Sequence, residues 1–374
     1  MKRRLSSAKR LPTLVSGMVG ATDLVRALPS IAGNAPALLG ARPRWPSPTF
    51  VRWVLTERCP LRCLHCDMGQ PGVELDHQGR LEVAHRLGRS RIWGVSLIGG
   101  EVATVKHLAQ YAALLRARRK FVLIGLSGLA IERHLQGLID ADVDALVFSI
   151  DGASAESHDA FRGHPGLYEK VERAVAQVRA LPGRRPRVQV RYTINRRNLD
   201  ETAAFIEAWR GRVDNLILQI IQSNGLHTVR AAEQVMFQAA DRPALEAVLD
   251  RVARRFPELA DRSLRQMADY AIDTEGLRRE LGFRCALVPS TQLVVGVDGG
   301  VTICNGRPDS AVGSVLDSEL ESIWQSAQTA ATRRRMQSKD YGCMCWEAAS
   351  AGNLELVAAE RAARRLLAGG RGPG

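Results

Sequence analysis

The residues best suited to chemistry in this sequence are its seven cysteines, which fall into two groups. Cys59, Cys63 and Cys66 form the first group, in a C-x3-C-x2-C spacing directly after an apolar run at 50–56. Three thiolates on one loop can hold a [4Fe-4S] cube and leave one iron open to a cofactor or substrate. The alternative is a zinc site with His65 as the fourth ligand, although zinc ligands usually come in C-x2-C pairs.

The second group lies near the end of the chain and contains Cys285, Cys304, Cys343 and Cys345. Without a secretory signal, clustered cysteines favour metal ligation over disulfides. Four thiolates can fully ligate one auxiliary [4Fe-4S] cluster, and a structural zinc ion is the alternative. If all seven cysteines are ligands, none is free to donate a hydrogen atom to a substrate radical, which favours oxidation or bond formation over epimerisation.

Polar residues follow several of the apolar runs. Gly99, Gly100 and Glu101 come after the run at 92–98, where glycines permit close backbone approach and a carboxylate can pair with an ammonium group. Ser149 lies near the end of the run at 145–150 and Asp151 follows it directly, and alternation along a strand would point both toward the same side. An Asp-Gly turn without a ligand is the alternative for this pair.

In this order, the three-cysteine loop, the Gly-Gly-Glu segment and the Ser-x-Asp-Gly segment resemble the radical S-adenosylmethionine (SAM) enzyme superfamily. The cysteines at the end of the chain resemble the SPASM or twitch extension of that superfamily. The resemblance covers about residues 50–225 and 284–348. It departs at Val102, where the family often has proline, and at Ser127, where the usual Thr-Asn-Gly is Leu-Ser-Gly.

The resemblance implies a set of ligands. The amino and carboxylate groups of SAM would chelate the open iron, and Glu101 would pair with its ammonium group. Ser149 and Asp151 would face its ribose or carboxylate. Arg191, in the fifth apolar run, is a candidate for binding the carboxylate, and Asn195 follows at the end of that run.

The elements that must position these residues alternate in type. Short apolar runs at 50–56, 92–98, 121–126, 145–150, 188–194 and 216–221 predict strands, with amphipathic stretches such as 106–119 and 168–181 between them. Strands that alternate with helices pair in parallel through right-handed crossovers. We therefore expect an α/β fold, a partial (β/α)6 TIM-like barrel whose chemistry gathers at the carboxyl ends of the strands.

The expected domain order is a basic extension at 1–45, the barrel at 46–225, a helical bridge at 226–283, a small α+β iron–sulfur domain at 284–350, and a helix with a disordered tail at 351–374. In the small domain, Asp298-Gly299-Gly300 between the apolar runs 293–297 and 301–303 predicts a hairpin. A helix is expected over about 318–328.

The net charge of +13 is uneven, because residues 1–45 contain eight basic residues and one aspartate. No basic cluster is interleaved with aromatic residues, so we expect no nucleic-acid partner. Residues 1–45 could contact a membrane surface or lie loosely across the barrel. Neither a membrane span nor a signal peptide is evident, and we expect a cytoplasmic protein.

Together these features predict a radical SAM oxidoreductase or bond-forming enzyme, with [4Fe-4S] clusters and SAM as cofactors and flavodoxin or ferredoxin as electron donor. The expected substrate is a small biosynthetic metabolite, and a ribosomally made peptide is the alternative. The alternative from another class is a zinc-stabilised binding protein with a basic arm.

Overall fold

The computed structural model describes residues 47–68, 72–222, 229–259, 262–273, 285, 287–304 and 307–338. The extension expected at 1–45, the ligands expected at Cys343 and Cys345, and the tail expected at 351–374 lie outside the described residues. Across the ranges just given, the structure has no helix with the length and apolar character needed to cross a membrane.

Within the described residues, nine strands form a single sheet. They are β1 Phe50–Thr56, β2 Gly94–Gly99, β3 Phe121–Leu126, β4 Ala145–Ser149, β5 Arg187–Ile194, β6 Asn215–Ile220, β7 Gln292–Val295, β8 Gly300–Thr302 and β9 Ala311–Ser314. Their order in the sheet is β6-β5-β4-β3-β2-β1-β7-β8-β9. The first six coincide with the six apolar runs, and each pairs in parallel with the next.

Helices connect the parallel strands. They are α1 His77–Arg89, α2 Leu108–Ala117, α3 Leu135–Asp140, α4 Ala155–Arg162, α5 Leu167–Arg179 and α6 Thr202–Trp209. Their apolar faces cover one side of the sheet; for example, the ring of Phe205 on α6 stacks on Tyr192 of β5 with centroids 4.0 Å apart. The predicted α/β class with a parallel sheet is confirmed.

The side of the parallel sheet that faces away from these helices corresponds to the inside of the predicted barrel and is called the concave side. On this side Phe50 of β1 and Ile217 of β6 pack against an apolar cluster formed by residues of β3 and β4. Successive residues of β5 point to opposite sides of the sheet. Four of them are buried among the helices: Val188, Val190, Tyr192 and Ile194. The remaining positions line the concave side: Arg187, Gln189, Arg191 and Thr193.

The later elements extend the same sheet. β7 pairs in parallel with β1, and β8 then turns back antiparallel to β7, as the hairpin signal predicted. Gly299 lies in the turn with φ 84°, a conformation that glycine adopts readily.

The remaining helices are α7 Ala232–Val235, α8 Arg242–Arg255, α9 Arg262–Ile272, α10 Leu287–Thr291, α11 Leu320–Gln325 and α12 Ala327–Met336. The single helix expected at 318–328 is wrong, because two helices meet there. Ser326 has extended backbone (ψ 154°) and its hydroxyl accepts the Thr329 N–H at 3.1 Å, so it ends α11 and caps α12.

Candidate active site

The first three cysteines lie on the loop that leaves the carboxyl end of β1. Their thiols are free, and all three contact one apolar cluster with Leu61 and Leu167. Cys63 is buried, whereas Cys59 and Cys66 are half-buried. The sequence placed these residues on one loop, and the structure adds that the loop is partly withdrawn from water.

Burial, with smaller contributions from the neighbouring thiols of Cys63 and Cys66, raises the pKa of Cys59 to about 11. Burial likewise raises the pKa of Cys63. Thiolates in such a place need a cation to offset desolvation, and a metal centre provides one. In the part of the chain that the structure describes, no three His, Cys, Asp or Glu side chains are arranged around a single metal ion. The fit to an iron–sulfur cluster therefore depends on three soft donors sharing one loop.

The Gly-Gly-Glu segment packs against the base of this loop. Gly100 donates its N–H to the Thr56 carbonyl at 2.8 Å, and Glu101 donates to the Arg58 carbonyl at 3.0 Å. A Cβ atom on Gly99 would lie 2.1 Å from the Thr56 oxygen, and one on Gly100 would lie 2.4 Å from the Arg58 oxygen. The two glycines thus allow two backbone segments to touch, rather than leaving open space for a ligand.

Glu101 is 1% exposed, and its carboxylate is held from two sides. Oε1 accepts the Ala103 N–H at 2.9 Å, while Oε2 accepts the Ser127 N–H at 2.9 Å and also bonds the Ser127 hydroxyl. Burial nevertheless raises the pKa of Glu101, although these donors act in the opposite direction. A bound ammonium group would favour the ionised form, as the predicted role requires.

Helix α4 contacts the cysteine loop from the other side. Leu64 donates its N–H to the Phe161 carbonyl at 3.0 Å, and Arg62 donates to the Arg162 carbonyl at 3.2 Å. The ring of His65 stacks on Phe161 with centroids 5.2 Å apart, so its observed contact is aromatic packing. The carboxyl end of α4 therefore fixes the loop between its cysteines.

Asp151 is engaged by the protein itself. Its Oδ2 atom accepts from Arg162 Nε at 2.9 Å and Nη2 at 2.6 Å, and Oδ1 accepts the Thr193 N–H at 3.2 Å. Asn198 donates to the Asp151 carbonyl oxygen at 3.0 Å. The side chain is 0% exposed, so its observed role is to tie β4, α4 and β5 together. A contact between Asp151 and SAM stays a prediction.

The other predicted ligands divide into two groups. Ser149 and Arg191 are neighbours in the β4–β5 register, both half-buried on the concave side. Asn195 is 0% exposed and organises the turn after β5, because its amide donates to the Thr193 carbonyl at 2.8 Å and accepts the Arg197 N–H at 3.0 Å. The structure brings Ser149 and Arg191 together at the barrel mouth and gives Asn195 a turn-forming contact.

Glu74 was not identified from the sequence, yet it organises the start of the cysteine loop. Its Oε1 atom accepts from the Thr56 hydroxyl and the Glu57 N–H, both at 2.8 Å, and Oε2 accepts from Arg80 at 2.8 Å. The side chain is 6% exposed. An acidic residue eight positions after Cys66 has no signature of its own, because its partners are one hydroxyl, one backbone N–H and one arginine that no motif links to it.

The second cysteine group is described in part. Cys285 is buried and Cys304 is half-buried against the main core. Cys304 lies just beyond β8, where its N–H donates to the Ser310 hydroxyl at 3.2 Å. The other two predicted ligands lie outside the described residues, so the complete four-thiolate site stays a prediction.

Two family models match the sequence. The radical SAM superfamily matches residues 53–208, and an iron–sulfur cluster-binding domain named SPASM matches residues 285–347. The first match spans the cysteine loop, the Gly-Gly-Glu segment and β1–β5 with their helices. The chain belongs to the radical SAM superfamily and has a SPASM-type domain after the barrel. Members use SAM and [4Fe-4S] clusters.

Individual proteins agree with this assignment. The AdoMet-dependent heme synthase of Methanosarcina barkeri is 32% identical over 171 residues, 43% of this chain and 47% of that protein. The pre-heme d1 synthase of Dinoroseobacter shibae is 33% identical over 159 residues, 41% of this chain and 38% of that protein. The chain thus spans less than half the length of these two relatives.

Among solved structures, Streptococcus suis SuiB bound to precursor peptide SuiA superposes with a TM-score of 0.58 at 12% identity, over 79% of this chain and 69% of that chain. At this identity the similarity concerns the fold alone. It extends over most of the present chain, including elements beyond the barrel.

Proposed function

We propose that this chain is a SAM-cleaving radical enzyme that holds a [4Fe-4S] cluster on Cys59, Cys63 and Cys66. The observation that carries the proposal is the contact between the Gly-Gly-Glu segment and the base of the cysteine loop. It places a buried carboxylate, Glu101, beside a loop of three thiols at the carboxyl ends of adjacent parallel strands. The carboxyl ends of barrel strands are where such folds gather their chemistry.

When bound, the cluster supplies the electron that cleaves SAM, and the released 5′-deoxyadenosyl radical abstracts hydrogen from the substrate. The protein groups around it bind and orient. Glu101 accepts the ammonium group of SAM, and Arg191 with Ser149 binds its carboxylate. Gly99 and Gly100 keep the cysteine loop seated, and Asp151 and Asn195 support the strand ends next to these ligands.

The substrate proposed is a small biosynthetic metabolite with anionic groups. Arg52 and Arg191 occupy concave positions of β1 and β5, and among the described residues no such position of β1–β6 holds Asp or Glu. Gln189 on the same side is 0% exposed, and neither polar atom of its amide has a protein hydrogen-bond partner among the described residues. A buried amide without a partner costs about 1–3 kcal/mol, so a substrate group bound there would recover that loss.

The two relatives named above are heme-pathway synthases by name, which favours a small molecule. SuiB, bound to a precursor peptide, supports the peptide alternative. A short precursor gene beside the coding sequence would favour the peptide. Substrate-dependent 5′-deoxyadenosine formation with a carboxylate-rich small molecule, and not with its methyl ester, would favour the metabolite.

The proposal includes the domain division expected from the sequence, with a barrel at 46–225, a bridge at 226–283 and an iron–sulfur domain at 284–350. In that last domain Cys285, Cys304, Cys343 and Cys345 hold an auxiliary [4Fe-4S] cluster. Flavodoxin or ferredoxin is the electron donor of this cytoplasmic enzyme, and residues 1–45 make a weak contact with a membrane surface.

Anaerobic purification tests the proposal. Two [4Fe-4S] clusters predict about eight irons and eight sulfides per chain. Replacing Cys59, Cys63 and Cys66 together by alanine should leave about four irons and abolish 5′-deoxyadenosine formation after reduction with dithionite. A colourless protein that contains zinc and has no affinity for SAM would instead support the zinc-stabilised binding protein.

A further inference from the structure

A buried arginine lies behind the cysteine loop. The side chain of Arg162 is 8% exposed and that of Asp151 is 0% exposed, with two guanidinium nitrogens 2.6 and 2.9 Å from Asp151 Oδ2. Thr193 donates to the other carboxylate oxygen at 3.2 Å. Donors from α4 and β5 therefore fix the carboxylate, and the carboxylate fixes the cation.

The same arginine is part of the contact with the loop. Its carbonyl accepts the Arg62 N–H at 3.2 Å, so its backbone lies against the residue before Cys63. Gly163 follows it with φ 67°, and a Cβ there would lie 3.1 Å from the Arg62 Cβ. A side chain at this point would therefore be tight against Arg62, in a backbone conformation that favours glycine.

The Arg162 cation acts electrostatically on two groups of the site, Cys63 and Glu101. Burial raises the pKa of Cys63 while Arg162 lowers it, and Arg162 also opposes the burial that raises the pKa of Glu101. Burial of Arg162 opposes its charge. The pKa of Arg162 is nevertheless held above its usual range, mainly by Asp151 and in addition by the thiols of Cys63 and Cys66. The fixed positive charge of Arg162 therefore acts on the Cys63 thiol and on the Glu101 carboxylate alike.

A fixed charge near an iron–sulfur cluster changes the electron affinity of that cluster, because reduction adds a negative charge. A cation favours the reduced form, and in a partly dry site its influence is screened less than at the surface. Asp151 has the opposite sign and acts against it.

We propose that Arg162, held by Asp151, is a positioning residue that seats the cysteine loop and raises the reduction potential of the cluster on Cys59, Cys63 and Cys66. This inference rests on the proposed function and adds a residue pair to it. The electrostatic effect of the pair can be separated from its structural effect. Replacing Arg162 by a neutral residue removes a positive charge, whereas replacing Asp151 by a neutral residue removes a negative charge.

The test is a redox titration of the iron-loaded protein with dithionite, followed by the EPR signal that changes when SAM is added, which distinguishes this cluster from an auxiliary one. Arg162→Gln keeps a donor for Asp151 but removes the cation. It should lower the reduced-to-oxidised ratio at a fixed potential at least tenfold, about 59 mV for a one-electron couple. Asp151→Asn should shift the ratio the other way.

Two controls separate charge from fold. Arg162→Lys retains the cation and should have a ratio close to that of the unmodified protein. Arg173→Gln removes an arginine whose side chain is 63% exposed on α5 and should change nothing. Iron per chain and far-ultraviolet circular dichroism are measured for every variant.

The inference is overturned if Arg162→Gln holds full iron at an unchanged potential, or if Arg162→Gln and Asp151→Asn shift it in the same direction. Should Arg162→Gln lose its iron, the Asp151→Asn protein decides, because only a charge effect predicts a more positive potential there. Whichever result the variants give, the proposed function stands if the unmodified protein binds iron and cleaves SAM. Unmodified protein without iron overturns both.

Discussion

Ser127, the residue after β3, donates its backbone N–H to Oε2 of Glu101 over 2.9 Å, and its hydroxyl bonds the same oxygen. The residue that follows β3 thereby orients the carboxylate of Glu101, which follows the neighbouring strand β2. The chain departs here from the family's usual Thr-Asn-Gly, but the main-chain bond to Glu101 does not depend on the identity of the side chain.

Glu101→Gln should weaken SAM binding by about 10- to 100-fold, since a charge-assisted hydrogen bond contributes about 1.5–3 kcal/mol. Equilibrium titration of the iron-loaded protein with SAM measures this. Ser127→Ala removes the hydroxyl but leaves the N–H, so its effect should be smaller. Glu132→Gln, at an exposed position, serves as the matched control. Equal affinity in Glu101→Gln and the control would contradict the assigned role.

Gly99→Ala should destabilise the protein more than Gly183→Ala. Both glycines have positive φ, 154° and 72°, but only the Cβ on Gly99 meets a backbone atom, Thr56 O at 2.1 Å. Gly183 has nothing within 4 Å, so its substitution costs only the conformational penalty of about 1–2 kcal/mol. Urea unfolding and iron content should both be lower in Gly99→Ala; comparable losses in the two variants would remove the steric argument.

The contacts of Glu74 at the start of the cysteine loop should make the stability of the protein sensitive to acid. Burial opposes ionisation, but the Glu57 N–H, the Thr56 hydroxyl and the nearby arginines lower the pKa of Glu74. A carboxylate with a lowered folded-state pKa adds stability above its unfolded pKa, about 4.3, and loses it as pH falls through the folded value. Glu74→Gln should therefore cost about 1–2 kcal/mol at pH 7, and the difference from the unmodified protein should shrink as pH falls below about 4.

Urea unfolding of the metal-free protein at pH 7 and at pH 3.5 would measure this difference. Glu82→Gln is the control, because its side chain is 44% exposed and its i,i+4 pair with Arg86 is worth only about 0.3–0.5 kcal/mol. A Glu74 effect that stays constant across pH would argue that the side chain acts by packing instead.

Replacing Cys285 and Cys304 together by alanine should remove about four irons and leave SAM cleavage by the first cluster in place. The physical reason is that a four-iron cube with only two remaining thiolates is poorly held. Iron analysis and 5′-deoxyadenosine formation, measured on the same preparation, test the two halves of the statement separately. Loss of all iron would show that the two centres depend on one another.

Most of the fold followed from the sequence because apolar runs of six or seven residues leave little choice between strand and helix when flanked by long amphipathic stretches. The same reasoning failed at Ser326, where one helix was expected and two occur. A serine inside a helical pattern is ambiguous, since its hydroxyl can either face solvent or cap a new helix.

The cysteine loop and Glu101 could be predicted because their spacing is local. Arg162 and Glu74 could not, because each acts through partners that become neighbours only after folding. Arg162 ends a helix before glycine, where basic residues are common on electrostatic grounds alone. The one available hint was Asp151, an acidic residue at a strand end eleven positions earlier, which calls for a cation if it is buried.

The parallel pairing of β7 with β1 has a consequence for synthesis. Thr49 and Thr291, which bond across this pair, are 242 residues apart, so the strand that leads into the three-cysteine loop keeps one open edge until residues 292–295 have left the ribosome. Open edges invite wrong partners. A nascent chain stalled before residue 292 would therefore present this loop without its flanking strand.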